Sequence, residues 1–382
     1  MTRGSALVVF SHLRWRFVYQ RPQHVVSRLA RSQRVLFIEE PERADDMPAS
    51  WEREQHGPNL TVLRPRTPVA PSGFGGAQQA LLARMVRTLV AKERIPSCTA
   101  WLYTPMALPL ARAIDPDLIV YDCMDELSAF LGAPPELRAR ENELLAEADV
   151  VFTGGPSLHR AKRARHPNVH CFPSSVDVAH FAAARNGLPE AADQRDLPRP
   201  RLGFCGVLDE RLDTTLLDAV AGRHPDWQIV MVGPTVKIDP ASLPRRPNLH
   251  YLGSRRYADL PAYLTGWDVC LLPFAHNAAT RFISPTKTLE YMAAARPIAS
   301  TSIADVAAHY ADIVHLGDGP DGFVAACERA LSASAAERER RRQRADAVVR
   351  ETSWDRTVAG MERVLADLVS PPARAVGSGG GA

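Results

Sequence analysis

A lysine and a glutamate stand three residues apart shortly after a Ser-Pro pair, within the segment SPTKTLEYMAAARPIAST at residues 284–301. Ser284 is a favoured N-cap residue and Pro285 suits the first helical position, so the pattern predicts that a helix begins here. The unpaired N–H groups at a helix start and the positive end of its dipole attract anions, and Lys287 adds a full positive charge. The first turn, from Ser284 through Thr286 to Lys287, is therefore predicted to bind a diphosphate.

Glu290 follows Lys287 on the same face of the predicted helix, about 4.5 Å further along its axis. A carboxylate at that position can accept two hydrogen bonds from a ribose diol, and phosphate and ribose are adjacent parts of one nucleotide. The alternative is an exposed Lys–Glu pair that stabilises the helix by roughly 0.2–0.5 kcal/mol. The helix leads directly into a strand that begins at Pro297, which places the helix start at the sheet edge where ligands bind.

The rest of the chain supplies the framework for such a site. Short apolar strand candidates alternate with longer helical patterns, which is typical of parallel sheets built from βαβ units. The chain has 382 residues, enough for two domains. The predicted fold class is α/β, with two doubly wound Rossmann-like domains that face each other across a cleft. The predicted boundaries are an N-terminal domain at 1–181, a polar linker at 182–200, a C-terminal domain at 201–350, a last helix at 351–370 and a disordered tail at 371–382.

Composition excludes several classes of protein. The chain has 46 Lys and Arg residues against 43 Asp and Glu residues, a balance that gives no indication of a nucleic-acid partner. The six cysteines lie far apart without zinc-site spacing, and no apolar run approaches the roughly 20 residues that span a bilayer. The charge run ERERRRQRA at 337–345 is interpreted as the solvated face of a helix begun near Pro320, with contact to an anionic membrane as the alternative. We expect a cytoplasmic protein that could also dock on the inner face of a membrane.

Segment 284–301 resembles the nucleotide-sugar signature of GT-B glycosyltransferases of the retaining family 4, or group 1, type, which includes bacterial lipopolysaccharide, capsule, exopolysaccharide and teichuronic-acid transferases. In that group a glutamate in an LEAMA helix holds the donor ribose, and residues 289–293 read LEYMA here. Residues 10–30 and 119–130 resemble the opening loop and the acceptor-side acidic loop of a subgroup. The segments FCGVLDERLD, VGPTVK and LHYLGSRRYADLPAYLTGWDVCLLPF resemble its donor-domain loops, and the final SW helix resembles one that crosses back to the first domain.

The resemblance implies a hexosyltransferase for polysaccharide biosynthesis. Its donor would be a nucleoside-diphosphate sugar, with UDP favoured, bound by the C-terminal domain. A glycan, lipid-linked or small-molecule acceptor would bind the N-terminal domain, and neither a cofactor nor a metal would be required. Two other hypotheses remain open: a sugar-nucleotide epimerase or hydrolase of the same fold, and a binding protein that has lost catalysis.

Two positions depart from the group's pattern. Phe282 stands where the wider group often has a second glutamate, eight positions before Glu290, so the implied retention of anomeric configuration is weakened. The usual Gly-Arg pair after the first donor-domain strand is altered to Gly206 and Val207. Arg211 is our candidate for the displaced positive charge.

Further donor contacts are predicted in the loops of the second half. Lys237 is a second candidate for the diphosphate, whereas Arg211 has the alternative of a surface ion pair with Asp209 or Asp213. Three glycines are predicted to let the phosphates or the base approach the backbone, although turn geometry alone also explains glycine at a strand end. These are Gly206, Gly233 and Gly253.

In the first half, Asp122 and Asp125 lie at and just beyond the carboxyl end of the strand LIVY. A carboxylate there can deprotonate a hydroxyl acceptor or balance charge on an oxocarbenium ion, and Asp125 is the catalytic candidate. For Asp122, which lies on the acceptor side, an N-cap or Asx-turn role is favoured over a part in the chemistry. His12, the second catalytic candidate, follows the first strand, and Arg14 and Arg21 extend its loop on the acceptor side.

Metal and other nucleotide motifs are not found. The triplet DPD at residues 115–117 imitates a metal-binding motif of another glycosyltransferase architecture, but it precedes its strand and so lies at the wrong end of the sheet. The SGFGG segment at residues 72–76 neither follows a strand nor opens a capped helix, and so it is not a dinucleotide fingerprint. We therefore predict no required metal.

Overall fold

The computed structural model describes residues 5–44, 48–70 and 73–369. Two α/β domains, each built on its own mainly parallel sheet, follow one another along the chain. This confirms the predicted fold class. The tail predicted at 371–382 lies outside the described residues. Within the described part, no helix combines the length and the apolar character that crossing a bilayer needs.

The first sheet contains nine strands among the described residues, in the order β3-β5-β2-β1-β6-β7-β8-β9, with β4 antiparallel to β5. Its strands are β1 Ala6–Ser11, β2 Arg34–Glu39, β3 Glu42–Arg43, β4 Ser50–Gln55, β5 Leu60–Thr67, β6 Cys98–Leu102, β7 Leu118–Cys123, β8 Val150–Thr153 and β9 Val169–Cys171. The helices of this half are α1 Arg21–Leu29, α2 Gln79–Lys92, α3 Leu108–Arg112, α4 Leu137–Glu147, α5 Pro156–Arg163 and α6 Val178–Ala182.

Both faces of the first sheet are buried. Val8 and Phe10 of β1 belong to one apolar cluster, whereas Leu7 and Val9 belong to another, because alternate side chains of a strand point to opposite faces. This explains why β1 is an uninterrupted apolar run. The loops that follow β1 and β7 leave from the carboxyl ends of these two buried strands.

The second sheet runs β12-β11-β10-β13-β14-β15 in the described residues, and all of its pairs are parallel. Its strands are β10 Arg201–Cys205, β11 Gln228–Val232, β12 Leu249–Gly253, β13 Val269–Leu272, β14 Ile298–Ser300 and β15 His315–Leu316. The later helices are α7 Thr214–Arg223, α8 Leu260–Thr265, α9 Thr286–Ala293, α10 Ala304–Tyr310, α11 Gly319–Ser332, α12 Ala335–Glu351 and α13 Trp354–Val369. Short 3-10 turns lie at Gly76–Gln78, Pro105–Ala107, Leu127–Ala129, Ala183–Arg185, Pro240–Ser242 and Tyr257–Asp259.

The segment between the two sheets packs on the second domain. The Gln194 side chain accepts a hydrogen bond from the Trp267 indole at 2.9 Å and donates one to the Tyr263 carbonyl at 2.9 Å. The last helix, α13, instead returns to the first domain, where Trp354 and Met361 are buried in the cluster that contains Val9. The chain therefore crosses between the domains twice, and the domain boundaries stay a prediction.

The charge run does not continue the helix that begins near Pro320, so that prediction is wrong. The helix α11 ends at Ser332, and Ser334 starts a new helix by accepting a hydrogen bond from the Glu337 N–H at 3.2 Å. Arg341 pairs with Glu337 at 3.0 Å within the new helix, as neighbours one turn apart can. Membrane contact by this run stays a hypothesis.

Candidate active site

A cavity of about 570 Å³, called the central cavity below, is lined by side chains of both domains. The first domain contributes the loop after β1 at residues 15–21 and the start of the loop after β7 at residues 124–125. The second domain contributes residues 232–234 after β11 and residues 283–287 at the start of α9. Because these segments follow parallel strands or open a helix at the sheet edge, the cavity lies where ligands of such folds bind.

The helix α9 begins one residue later than predicted. Pro285, with φ −67° and ψ 119°, is the N-cap, and the Ser284 side chain makes no capping hydrogen bond. The carbonyl of Pro285 accepts from the Thr288 N–H at 3.1 Å, because proline can accept the first helical bond without needing to donate one. Ser284, Thr286 and Lys287 nevertheless all line the central cavity, so the helix start faces it as expected.

Lys287 and Glu290 form the ion pair that the sequence left as an alternative, with Nζ 2.6 Å from Oε2. The pair is not exposed, however, because Glu290 is only 2% accessible and both residues line the central cavity. Burial has the largest single effect and would lower the pKa of Lys287, but the charge of Glu290, the nearby Cys205 and the hydrogen bond to Glu290 together raise the pKa above its ordinary value. The ammonium therefore stays charged inside a poorly hydrated cavity.

Arg211 lines the same cavity and is held by Asp209, which accepts from Nε at 3.0 Å and from Nη2 at 2.7 Å. This is the ion pair given as the alternative for Arg211, whereas Asp213 caps α7 instead. Asp209 takes up the Nε–Nη2 edge of the guanidinium, so a second anion could bind only on the Nη1 side. Lys237 lies outside the lining residues, with its Nζ 3.9 Å from Glu210 Oε1.

The glycines predicted in the second domain allow segments of the protein's own backbone to approach each other closely. A Cβ added at Gly233, where φ is +150°, would lie 1.7 Å from the carbonyl oxygen of Gly206. Gly206 and Gly233 both line the central cavity, so the close packing of these two strand ends forms part of its wall. Gly253, whose carbonyl accepts from Gly233 N–H at 2.9 Å, lies outside the lining.

Gly233→Ala is expected to lower the free energy of unfolding by about 2–3 kcal/mol, because the backbone conformation excludes side chains and the nearest atom belongs to rigid backbone. Urea denaturation measures the change. Gly322→Ala is the matched control, since its added Cβ would lie no closer than 3.6 Å to any atom. A Gly233→Ala protein as stable as the control would contradict this account of the strand ends.

Asp125 reaches the central cavity from the first domain. Burial raises the pKa of its carboxyl to about 6, although Arg211 and Arg21 act in the opposite direction. His12 lies outside the lining, and burial lowers its pKa to about 4, helped by the charge of Lys237. Its Nδ1 atom is buried without a partner among the residues that the structure describes.

The acceptor-side arginines are already engaged. Arg21 is 3% exposed and donates from Nε to Asp122 Oδ1 at 2.9 Å and from Nη1 to the Phe172 carbonyl at 2.6 Å. The N-cap or Asx-turn alternative for Asp122 is therefore wrong, since this fully buried residue lies inside β7 and pairs with Arg21. Arg14 lies outside the cavity lining and pairs with Glu39 at 3.3 Å.

An aromatic group that the sequence analysis did not identify joins the domains beside Lys287. The ring of Tyr257 from the second domain lies 4.8 Å from the Tyr19 ring and 4.5 Å from the His180 ring. Its hydroxyl is buried without a partner in the described part of the chain, and burial, followed by the charge of Glu290, raises its pKa. His24 stacks on Trp354 at 4.6 Å, and burial lowers its pKa to about 2, so it adds no positive charge.

A second interdomain contact lies near the start of α9. Asp305 accepts from the Ser157 N–H at 3.1 Å and thereby satisfies the first turn of α5, which belongs to the other domain. A Cβ at Gly155 would lie 2.7 Å from the Ser284 Cβ, so the domains meet closely here. Neither contact has a signal in the sequence, because their partners are more than a hundred residues apart.

In the described residues 5–44, 48–70 and 73–369, no group of three His, Cys, Asp or Glu side chains is arranged so that it could hold a metal ion. The DPD triplet precedes β7 and lies away from the cavity-lining segments. A metal-independent reaction stays a prediction.

Comparison with known proteins relates the second domain to one family and the whole chain to one architecture. Residues 199–333 match the family model described as Glycosyl transferases group 1. The teichuronic acid biosynthesis glycosyltransferase TuaH of Bacillus subtilis (strain 168) is 26% identical over 254 residues, which cover 61% of this chain and 64% of that relative. The match thus spans somewhat less than two thirds of the relative's length.

Solved structures similar to this one extend over nearly the whole chain. A UDP-forming α,α-trehalose-phosphate synthase from Burkholderia xenovorans, in complex with glucose-6-phosphate, has a TM-score of 0.69 at 14% identity and covers 95% of this chain and 100% of that one. Sucrose-phosphate synthase from Thermosynechococcus elongatus has a TM-score of 0.68 at 15% identity, with 95% and 99% covered. The trehalose-6-phosphate structure from E. coli bound with UDP-2-fluoro glucose has a TM-score of 0.65 at 14% identity, with 95% and 98% covered. At these identities the likeness shows the fold.

Proposed function

We propose that this chain, a GT-B glycosyltransferase with a group 1 domain at residues 199–333, moves a sugar from a nucleoside-diphosphate sugar to a hydroxyl acceptor. One observation carries the proposal. The start of α9 with Lys287, and Arg211 beside it, line the same cavity as the Asp125 carboxylate of the opposite domain. A donor bound by the first set would present its sugar to an acceptor held near the second, which replaces a chance encounter with a fixed geometry.

The diphosphate is proposed to bind the N–H groups at Thr286 and Lys287, the Lys287 ammonium and the Nη1 side of the Arg211 guanidinium. The N–H groups and the guanidinium are already in place before the ligand binds, and they line the cavity together with Lys287. Glu290 would exchange its bond to Lys287 for the ribose hydroxyls, and Lys287 would then face the phosphates. Lys237 would add longer-range attraction from outside the lining.

In the reaction, the bond between the sugar C1 and the diphosphate oxygen breaks and a bond from C1 to the acceptor oxygen forms. The acceptor proton passes to the Asp125 carboxylate or to a departing phosphate oxygen, so that charge is balanced without a metal ion. The positive groups around α9 stabilise the negative charge on the leaving diphosphate. His12, neutral and buried outside the cavity lining, would need a shift of the loop after β1 before its unpaired Nδ1 could orient the transferred sugar or the acceptor.

Retention of anomeric configuration is part of the proposal, with attack on the same face as the departing phosphate. Phe282 takes no part, because it packs against the apolar cluster of the first domain, and the Arg281 guanidinium lies 5.1 Å from its ring centroid. The position where related enzymes often have a glutamate thus contributes to the contact between domains. Proton NMR of the anomeric position of the first product formed tests retention directly.

A UDP-sugar is the donor that we favour, because similar structures include a UDP-forming synthase and one bound with UDP-2-fluoro glucose. The acceptor is proposed to be a glycan, a glycolipid or a small-molecule glycoside, in line with a relative named for teichuronic acid biosynthesis. A lipid-linked acceptor would place the reaction at the inner face of the membrane.

The test is release of the nucleoside diphosphate from UDP-glucose, UDP-galactose, UDP-N-acetylglucosamine and GDP-mannose, each with and without a panel of glycoside and sugar-phosphate acceptors. We expect release that depends on the acceptor and continues in EDTA. Release without any acceptor would support the epimerase or hydrolase hypothesis. Tight donor binding without release under any condition would support a protein that has lost catalysis.

The pH dependence follows from Asp125. With a pKa of about 6, its carboxyl is mainly ionised above that pH and neutral below it. If the carboxylate form acts, kcat/KM for the acceptor should fall close to tenfold per unit as the pH drops below about 6 and should level off above it. Rates measured between pH 5 and 8.5 check this, and a flat profile through pH 6 would contradict the role of Asp125.

A further inference from the structure

One aromatic ring of the first domain contacts two cations of the second. The Phe130 ring centroid lies 5.4 Å from the Arg211 guanidinium carbon and 4.9 Å from the Lys237 ammonium nitrogen. Together with Lys287, these are the cations predicted from the sequence to bind the diphosphate. Phe130 itself is absent from the lining of the central cavity, so it would act on a ligand only through them.

The chain beside Phe130 is attached to the same cation-bearing loop. The N–H of Leu131 donates to Glu210 Oε1 at 3.0 Å, and that carboxylate oxygen lies 3.9 Å from the Lys237 ammonium. The Glu210 carbonyl in turn accepts from Asn277 Nδ2 at 2.8 Å. The first-domain loop after β7 is thus fixed to the second domain by a hydrogen bond and by the Phe130 ring.

Two positive side chains that converge on one place repel each other, and without compensation they would swing apart into solvent. Asp209 neutralises the charge of Arg211. Among the described residues, the one carboxylate paired with Lys237 is that of Glu210 at 3.9 Å, and the Lys237 side chain is 43% exposed. The negative face of an aromatic ring attracts cations within about 6 Å, more strongly where water is excluded. Phe130 meets that distance for both cations.

We infer that Phe130 is a positioning residue that holds Arg211 at the diphosphate site and Lys237 next to it, and that it couples the loop carrying Asp125 to donor binding. The inference rests on the proposed function, because it concerns the same donor. Asp125 precedes Phe130 by five residues in one loop, so fixing the ring on the donor cations also limits where the carboxylate can lie. Donor binding would then be accompanied by correct placement of the acceptor-side group.

The experiment varies the electron density of the ring while keeping its shape. Phenylalanine at position 130 is replaced with 4-fluoro-, 3,5-difluoro- and 3,4,5-trifluorophenylalanine, and the Kd for UDP is measured by calorimetry. Each fluorine withdraws charge from the ring face, so the Kd should rise stepwise, reaching about 5- to 30-fold for the trifluoro ring. Phe130→Leu should match the largest loss, and Phe130→Tyr should restore most of the affinity.

Leu131→Ala is the matched control, since Leu131 is 58% exposed and its hydrogen bond to Glu210 is made by the backbone N–H, which alanine keeps. Its Kd for UDP should equal that of the wild type. Turnover adds a second readout, because loss of the loop's attachment should lower kcat in Phe130→Leu while leaving the midpoint of thermal unfolding unchanged. A ring that only fills space would give equal affinity across the fluorinated series.

The possible results distinguish failure of the role of Phe130 from failure of the proposed function. If the wild type binds UDP and the fluorinated series shows no trend, the inference is wrong and the proposed function is unaffected. If Phe130→Tyr loses as much affinity as Phe130→Leu, an electrostatic role of the ring is likewise refuted. If the wild type binds no nucleoside diphosphate, the proposed function fails and this inference fails with it.

Discussion

Replacement of Lys287 by methionine should lower kcat/KM for the sugar nucleotide by about 10²- to 10³-fold, the usual cost of removing one preorganised group that stabilises transition-state charge. Methionine keeps the length and flexibility of the side chain and removes only the ammonium. The effect should be large because Lys287 lies in the first turn of α9, inside the central cavity, where its charge adds to the helix dipole.

The single substitution also leaves Glu290 buried and without its partner, which by itself would destabilise the protein. The double variant Lys287→Met/Glu290→Gln removes both charges and should recover most of the lost stability. It should not recover activity, because neither the diphosphate nor the ribose would then meet its partner. Recovery of kcat/KM in the double variant would show that Lys287 acts only by neutralising Glu290.

Asp125→Asn should lower kcat by about 10²- to 10⁴-fold, the range for loss of a general base, while the Kd for the donor changes less than about threefold. The carboxylate belongs to the first domain, whereas the groups assigned to the diphosphate belong to the second. Its loss should therefore affect the chemical step more than donor binding. Steady-state kinetics with varied donor and calorimetry with UDP separate the two effects.

The pH dependence of protein stability tests the ionisation of the Asp125 carboxyl independently of activity. Its folded-state pKa of about 6 lies above the value of 3.8 expected for an unfolded chain, so the folded state disfavours the charged form. The contribution of Asp125 to the stability of the wild type therefore falls as the pH rises from about 4 through about 6. Asp125→Asn should be more stable than the wild type at pH 7.5 and equally stable near pH 4, and a variant that loses both activity and stability at pH 7.5 would contradict this.

Local patterns allowed the positions of several groups in the proposed donor site to be predicted. Lys287 and Glu290 are three residues apart in a helix, so their proximity follows from helix geometry alone. The start of α9 was displaced by only one residue, because Ser284 and Pro285 both favour helix starts and the structure uses the proline. The strands β1, β7 and β10 were predictable as short apolar runs, since both faces of such strands are buried.

The antiparallel strand β4 carried no comparable signal. Half of its six residues from Ser50 to Gln55 are charged and none is buried, because the strand pairs with β5 at the periphery of the first sheet. Such strands are stabilised by backbone pairing and by ion pairs along their faces more than by burial. Hydrophobic patterning therefore does not reveal them.

Contacts between distant parts of the chain explain the remaining differences. Arg21 and Asp122 are 101 residues apart, and only the parallel pairing of β1, β6 and β7 brings their ends together. Once paired and buried, neither matches the free acceptor-side group that its sequence context suggested. The contacts of Phe130 could not be predicted either, because the cations near its ring lie more than eighty residues further along the chain.

Binding of a pyrophosphoryl group at the start of α9 is tested most directly by calorimetric titration with free nucleotides. Wild-type protein is titrated with UDP, GDP, ADP and dTDP, and the best ligand is then titrated into Lys287→Met/Glu290→Gln. We predict that at least one diphosphate binds and that the double variant loses about 30-fold or more in affinity, whereas the corresponding nucleoside binds both proteins weakly and equally. The absence of heat with all four diphosphates, or equal affinity in the double variant, would contradict the account.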